Sequence, residues 1–325
     1  MSEHVVVTGG AGFIGANVTR ALLARGSRVT VLDDLSEGEA ENLAELEGHP
    51  DYTFVHADVR DEAAVVAALA GAEKVVHLAA RKIPRYGNAL ATLDVNALGS
   101  RVVLEAAAKH GAKIVVASTS DVYGKNPEVP FAESSSPSVI GSPKVRRWAY
   151  AVSKMYEEQV AFALHEEREL RVSVLRYFGG YGPYQHKGWL GGPQSVFFEL
   201  AHRGEPLTIH GDGTQRRTFT HVEDMVRGTL LALDSERAVG EVYNIGATRE
   251  LSINELAQLC WRIAREDEPR IVYQSYASLG GNYEDVQRRV PDPALAREHL
   301  GFEAQVDVED GLRRTWGWLR ETRLT

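Results

Sequence analysis

Val5-Val6-Val7-Thr8-Gly9-Gly10-Ala11-Gly12-Phe13-Ile14-Gly15, near the start of the sequence, carries the strongest architectural signal. A β-branched run leads into glycines 9, 10, 12 and 15, and a helix-period segment, Gly15–Arg25, follows. Strand, glycine turn and helix in that order set backbone N–H groups at a helix start, where missing side chains let a diphosphate approach. The second strand, Arg28–Asp33, closes on a carboxylate. Such a group accepts hydrogen bonds from both hydroxyls of an adenosine ribose and repels a 2′-phosphate. No Arg or Lys lies in Asp34–Gly38, so the expected cofactor is NAD rather than NADP. Gly9, Gly12, Phe13, Ile14, Gly15 and Asp33 are the residues expected to hold it. Asp58, with Val59, ends the third strand within reach of the adenine; a turn or helix N-cap role explains Asp58 equally well.

The pattern repeats along the chain. Thr53–Asp58, Lys74–Ala79, Lys113–Thr119, Arg171–Phe178 and Glu241–Gly246 are strand-like, and most are apolar nearly throughout, as strands buried on both faces are. Helical segments such as Ala63–Ala70 and Gly99–Lys109 lie between them. Strict alternation of this kind predicts an α/β fold, a doubly wound parallel sheet of Rossmann-like type. At 325 residues the chain is long for one core. The expected division is a dinucleotide-binding domain over 1–178, with 218–250 returning to it, and a smaller α/β substrate lobe over 179–325. Ser252-Ile253-Asn254-Glu255 is a capping box that opens a helix in that lobe.

Composition excludes several classes. A formal net charge of -9 disfavours an extended nucleic-acid surface, which needs a concentrated positive field. One cysteine, Cys260, allows no intramolecular disulfide and no thiolate cluster for zinc, and no metal is expected. The apolar run Ala63–Ala72 is far shorter than the roughly 20 residues that span a bilayer, and Met1–His4 carries no signal-peptide pattern. The expectation is a cytoplasmic protein with no membrane partner.

Tyr150-Ala151-Val152-Ser153-Lys154 puts a phenol and an ammonium on one helix face, one turn apart. A lysine beside a tyrosine stabilises the phenolate and lowers its pKa toward the range of a general base. Ser118-Thr119-Ser120 at the carboxyl end of the fifth strand falls where ligands sit in open α/β sheets.

The Gly9–Gly15 string, Val76-His77-Leu78-Ala79-Ala80, the Ser118–Gly124 run, Tyr150 with Lys154, and Gly211-Asp212-Gly213-Thr214-Gln215-Arg216-Arg217 together resemble the extended short-chain dehydrogenase/reductases. These act on nucleotide sugars as epimerases, dehydratases and decarboxylases. The resemblance implies Tyr150 as the base that takes a sugar hydroxyl proton, with Thr119 hydrogen-bonding the same hydroxyl. It implies Lys154 on the nicotinamide ribose, with Leu78, Ala79 and Ala80 beside the cofactor. Lys82 is similar to a lysine near that ribose in UDP-galactose 4-epimerase. Arg217 and Arg289 match two arginines that grip the nucleotide diphosphate; as bare surface charges they would be solvated. His77 reads better as a satisfied core histidine than as a proton carrier. A homodimer is also what the resemblance implies.

Residues after Thr119 bear on the reaction. Family 4,6-dehydratases carry an Asp-Glu pair where this chain has Ser120-Asp121, and serine cannot replace the acid. The UDP-glucuronate decarboxylases carry Ser-Glu, which is closer, and the loop Val139–Pro143 with Arg147-Trp148-Ala149-Tyr150 is similar to theirs. Asp121 is a catalytic candidate on that basis, or a capping residue. Where the family has Arg-x-Phe-Asn this chain has Arg176-Tyr177-Phe178-Gly179, so sugar anchoring differs. The insert Tyr184–Gly192, with Trp189, either replaces those contacts or is a plain surface loop. Arg85 either pairs with a sugar carboxylate or sits in solvent. The expected activity is NAD-dependent 4-epimerisation of a UDP-sugar, an isomerase reaction. UDP-glucuronate decarboxylation is the alternative, and a non-catalytic NAD-binding regulator the remote one.

Overall fold

A computed structural model describes residues 2–82, 88–276 and 284–324. Seven strands, numbered along the chain, make one sheet: β1 (His4–Thr8), β2 (Arg28–Asp33), β3 (Tyr52–His56), β4 (Lys74–His77), β5 (Lys113–Thr119), β6 (Val172–Tyr177) and β11 (Glu241–Ile245). Their order is β11-β6-β5-β4-β1-β2-β3, and every pair is parallel. The order turns back at β1, so a crevice opens at the carboxyl ends of β1 and β4, where such sheets bind ligands. The fold is the doubly wound α/β type that the alternation predicts.

Helices cover both faces. Val5, Val7 and Val31 point to the side packed by α1 (Phe13–Ala24), α7 (Val222–Asp234) and α9 (Ala294–Leu300). Val6, Leu32 and Val75 face α2 (Glu62–Ala68), α4 (Ser100–His110) and α5 (Trp148–Arg168). The short α3 (Ala89–Leu93) runs through a wide turn at Asp94–Gly99 into α4. Central strands carry apolar residues on both sides for this reason. β3 is the exception: as the edge strand it leaves Phe54 and His56 exposed, and it ends two residues before Asp58.

The second lobe has its own core, in which Phe197, Leu256, Trp261 and Trp316 pack α6 (Pro193–Arg203) against α8 (Ile253–Ala264) and α10 (Val308–Thr322). Its strands are short. β7 (Gly180–Tyr181) pairs with β10 (Thr220–His221), β8 (Leu207–His210) with β13 (Ile271–Gln274), and β9 (Arg216–Thr218) lies between β12 (Glu250–Ser252) and β14 (Arg288–Arg289). The capping box forms: Ser252 Oγ accepts from the Glu255 N–H at 3.1 Å, and Glu255 Oε2 from the Ser252 N–H at 2.6 Å. α7 and β11 join the large sheet domain, and α9 does so too, through Ala296, Leu300 and Phe302.

Candidate active site

The carboxyl ends of the central strands and the facing lobe enclose a cavity of about 500 Å³. Every residue singled out above as catalytic, cofactor-binding or substrate-binding lines it except Asp58. Asp58 turns instead to Arg60, which holds both its oxygens at 2.5–3.1 Å, while Ala57 and Val59 on either side face the cavity. Nor is Asp58 a helix cap, because Asp61 caps α2. Arg85 lies outside the described residues.

Backbone builds the cofactor half. At Gly9 a Cβ would stand 2.6 Å from the Ala79 nitrogen, and at Gly15 it would stand 2.1 Å from the Gly9 carbonyl oxygen. Both glycines thus let the turn lie against β4 and α1 begin close to the sheet. Gly12 is the N-cap of α1 and supplies no side-chain cap, so the first-turn amides face the cavity as a diphosphate site requires. Asp33 accepts from the Ala11 N–H (2.9 Å) and the Leu35 N–H (2.8 Å), which aim its carboxylate at the cavity rim. Burial pushes this carboxyl up, and the two amide bonds oppose that. Arg81 also reaches this rim from the end of β4, paired with Glu37 at 3.1 Å. Sequence spacing gave no sign of it.

Tyr150 and Lys154 share one face of α5, as their spacing requires, and Thr119 hydrogen-bonds the phenol. The expected lowering of the Tyr150 pKa by Lys154 is not found. Burial, and then the charges of Asp121 and Glu157, push the phenol up, against the Thr119 bond and Arg289. Lys154 is occupied elsewhere: its ammonium donates to the Ala117 carbonyl at 2.8 Å and meets Glu157 at 2.6 Å. His77 is a core histidine, hydrogen-bonded to Thr8 (2.6 Å) and Ser100 (2.9 Å); burial, with Lys154 nearby, lowers its pKa to about 3.

Side chains build the other half. Asp121 Oδ1 accepts from Arg289 at 2.5 Å and from Arg147 at 3.2 Å. Asp285 Oδ1 accepts from Arg217 (3.1 Å) and Arg147 (3.3 Å), and its other oxygen from the Tyr276 hydroxyl (2.7 Å). Burial alone would raise the Asp285 carboxyl, but Arg217, Tyr276 and Arg147 hold it below the usual range. Three guanidinium groups thus face two carboxylates. The buried Arg289 Nε–H has no partner among the described residues, while Nη1 reaches Ser120 at 3.5 Å. Tyr276 and Asp285 escaped sequence reasoning, and Arg147 entered it only as part of the Arg147–Tyr150 stretch similar to that of the decarboxylases.

At Gly179 (φ +50°) a Cβ would fall 1.9 Å from the Thr218 carbonyl oxygen, so no side chain fits where the family has Asn. The insert over 184–192 divides in two. Trp189 enters the cavity and stacks on His210, with ring centroids 4.8 Å apart. Tyr184 turns outward, under Arg20 and against Trp318. Among the described residues no group of His, Cys, Asp and Glu side chains could hold a metal ion, and no helix is long and apolar enough to cross a membrane.

A dinucleotide turn beside a tyrosine–lysine pair, on a doubly wound sheet, defines the class: a nucleotide-dependent oxidoreductase scaffold. The sequence model of the NAD dependent epimerase/dehydratase family matches residues 5–246, and the chain belongs to that family, whose cofactor is NAD. It is 33% identical to the UDP-N-acetyl-alpha-D-glucosaminuronate decarboxylase of Bacillus cytotoxicus, over 99% of both chains. Among solved structures it is similar to the UDP-glucose 4-epimerase of Thermotoga maritima with UDP-glucose (32% identical, TM-score 0.88, 98% and 99% of the two chains). It is equally similar to the dTDP-glucose 4,6-dehydratase of Streptomyces venezuelae with NAD bound (32%, TM-score 0.88, 98% of each chain). Members of the family are epimerases, dehydratases and decarboxylases acting on nucleotide sugars.

Proposed function

We propose that the chain is an NAD-dependent enzyme that oxidises C4 of a UDP-linked hexuronic acid and releases its C5 carboxylate as CO₂. The observation that carries this reading is the pair Arg147 and Arg289 on Asp121, one turn from Tyr150. A carboxylate is met best by forked guanidinium groups. Two of them on one aspartate leave a net positive charge beside the reacting carbon, and the unpartnered Arg289 Nε–H adds a donor. The similarity to the Bacillus cytotoxicus decarboxylase points the same way.

The Gly9–Gly15 turn would hold the diphosphate of NAD, Asp33 its adenosine ribose, and Lys154 and Lys82 the nicotinamide ribose. Bound NAD supplies a hydride acceptor and returns the hydride. Tyr150 takes the C4 hydroxyl proton, and Thr119 orients that hydroxyl. A ketone at C4 turns the C5 carboxylate into a β-keto acid, so the C5–CO₂ bond breaks with its electron pair passing to the C4 oxygen. Asp121, held by two arginines, orients them rather than acting as a free acid, which is also why elimination of water is disfavoured. Arg217 serves the nucleotide diphosphate.

Epimerisation at C4 remains the second reading. It asks only for a base, a hydride acceptor and room to turn the sugar, and the overlay with the Thermotoga maritima epimerase supports it. Incubation with UDP-glucuronate, UDP-N-acetylglucosaminuronate and UDP-glucose, followed by NMR, separates them. CO₂ with a UDP-pentose or its 4-keto form is expected; a 4-epimer with all carbons retained would replace the first reading by the second. No turnover across the panel would leave the regulator. A homodimer is part of the proposal: Leu98, Val152 and Tyr156 are exposed around α4 and α5, at 56%, 45% and 40%. Sedimentation at a protomer mass would remove it.

A further inference from the structure

The mechanism leaves one carboxylate unused. Glu157 is fully buried on α5, one turn beyond Lys154. A carboxylate taken out of water needs partners, and each element packed here supplies one. From α5 itself Lys154 stands at 2.6 Å, with Glu158 as a neighbouring like charge. From α4 Ser100 donates to Oε1 at 2.8 Å. From β4 the His77 Nε2 lies 3.4 Å away and also bonds Ser100, while Thr8 of β1 holds the other ring nitrogen. With Ser100 donating to Glu157, the neutral ring bearing its proton on Nε2 satisfies every contact. His77, kept neutral by burial, brings no cation, so Lys154 is the only positive group in contact with Glu157 among the described residues.

We propose that Glu157 is a positioning residue for the reaction: it anchors the Lys154 ammonium against β5 and offsets its charge beside Tyr150. Two geometric facts carry this. Lys154 is tied at both the Ala117 carbonyl and Glu157, so its direction is fixed before any ligand arrives. And the group that fixes it is a carboxyl on the same helix face as the phenol; burial pushes its pKa up, while Lys154 and Ser100 favour its charged form. The other charges on Tyr150, those of Asp121 and Arg289, are partnered with each other and stay constant when Glu157 is changed. The consequence is a phenol whose ionisation depends on the Lys154–Glu157 pair and not on Lys154 alone. The inference rests on Tyr150 being the base.

The test uses the full chain loaded with NAD⁺, and the ultraviolet phenolate band titrated against pH, with Tyr150→Phe subtracted to isolate one phenol. In Glu157→Gln the Tyr150 titration should move down by roughly one pH unit, tenfold in phenolate fraction at a given pH. The acid limb of kcat/KM should follow it, with kcat changing more than KM. Glu157→Asp, which keeps the charge, should restore most of the wild-type position. If Glu157→Gln does not fold, Ser100→Ala removes a donor to the carboxylate and should shift the titration the same way by less. A Glu157→Gln titration that superimposes on wild type, or an unshifted Ser100→Ala where that variant stands in, overturns the proposal. Turnover surviving in Tyr150→Phe sinks the reading of Tyr150 as the base, whereas an unshifted phenolate band sinks only the role of Glu157.

Discussion

The two halves of the cavity are built from different material. On the cofactor side the contacts are backbone: first-turn amides at Gly12, the Ala11 and Leu35 amides on Asp33, and glycines whose missing side chains let strand, turn and helix touch. On the facing side they are long charged side chains, Arg147, Arg217 and Arg289 on Asp121 and Asp285, drawn from four separate stretches of chain. A backbone site is rigid and tolerates no added atom. A site of paired charges can exchange one partner for another, so a ligand carboxylate or phosphate can displace an aspartate without leaving a buried arginine bare.

Four substitutions test whether the two halves respond differently. Tyr150→Phe stands between the halves and should lose about 10²–10⁴-fold in kcat, the usual worth of a general base, with NAD affinity near wild type by calorimetry. Gly15→Ala strikes the backbone half. Its methyl would meet the Gly9 carbonyl oxygen at 2.1 Å, so about 1–3 kcal/mol of stability should be lost in urea titration, with NAD binding weakened alongside. Arg147→Ala strikes the side-chain half and should raise KM for a uronate by about tenfold or more, on the order of 1.5–3 kcal/mol, while NAD affinity and stability change little. A comparable rise for UDP-glucose would place Arg147 on the diphosphate instead. Asp58→Asn should do least. Its pair with Arg60 is partly exposed, so a change of about 0–1 kcal/mol in NAD affinity is the expected ceiling.

The same contrast explains what sequence could tell. Gly9–Gly15, Asp33 and the Tyr150–Lys154 spacing are local patterns, each contained in a few consecutive residues, and each lands in the cavity. The strands of the large sheet are legible because burial on both faces demands apolar runs. Arg217 and Arg289 were reached only through family resemblance, since nothing in their own stretches distinguishes a ligand contact from a solvated charge. Arg147, Asp285 and Tyr276 become partners only once Arg217 of β9, Tyr276, Asp285 and the start of α5 converge, a distance in sequence no short pattern spans. Lys154 illustrates a different loss. Its place beside Tyr150 follows from the spacing, but burial and the charges of Asp121 and Glu157, none of them visible in that spacing, push the phenol up. Asp58 follows its other reading, a turn residue: β3 stops at His56, and the Asp58 carboxylate accepts from the Arg60 N–H at 2.8 Å and pairs with the Arg60 side chain.

The docking of α9 against the large sheet has a consequence for how the chain can be divided. Ala296, Leu300 and Phe302 complete the same apolar layer as Val5, Leu22 and Ile245. A fragment ending at Gly246, where the family match stops, would leave that layer open to water on one side. The dinucleotide fold is therefore closed by a helix that the chain reaches only after it has passed through α8 of the second lobe, so neither lobe can be cut from the other at one point in the sequence.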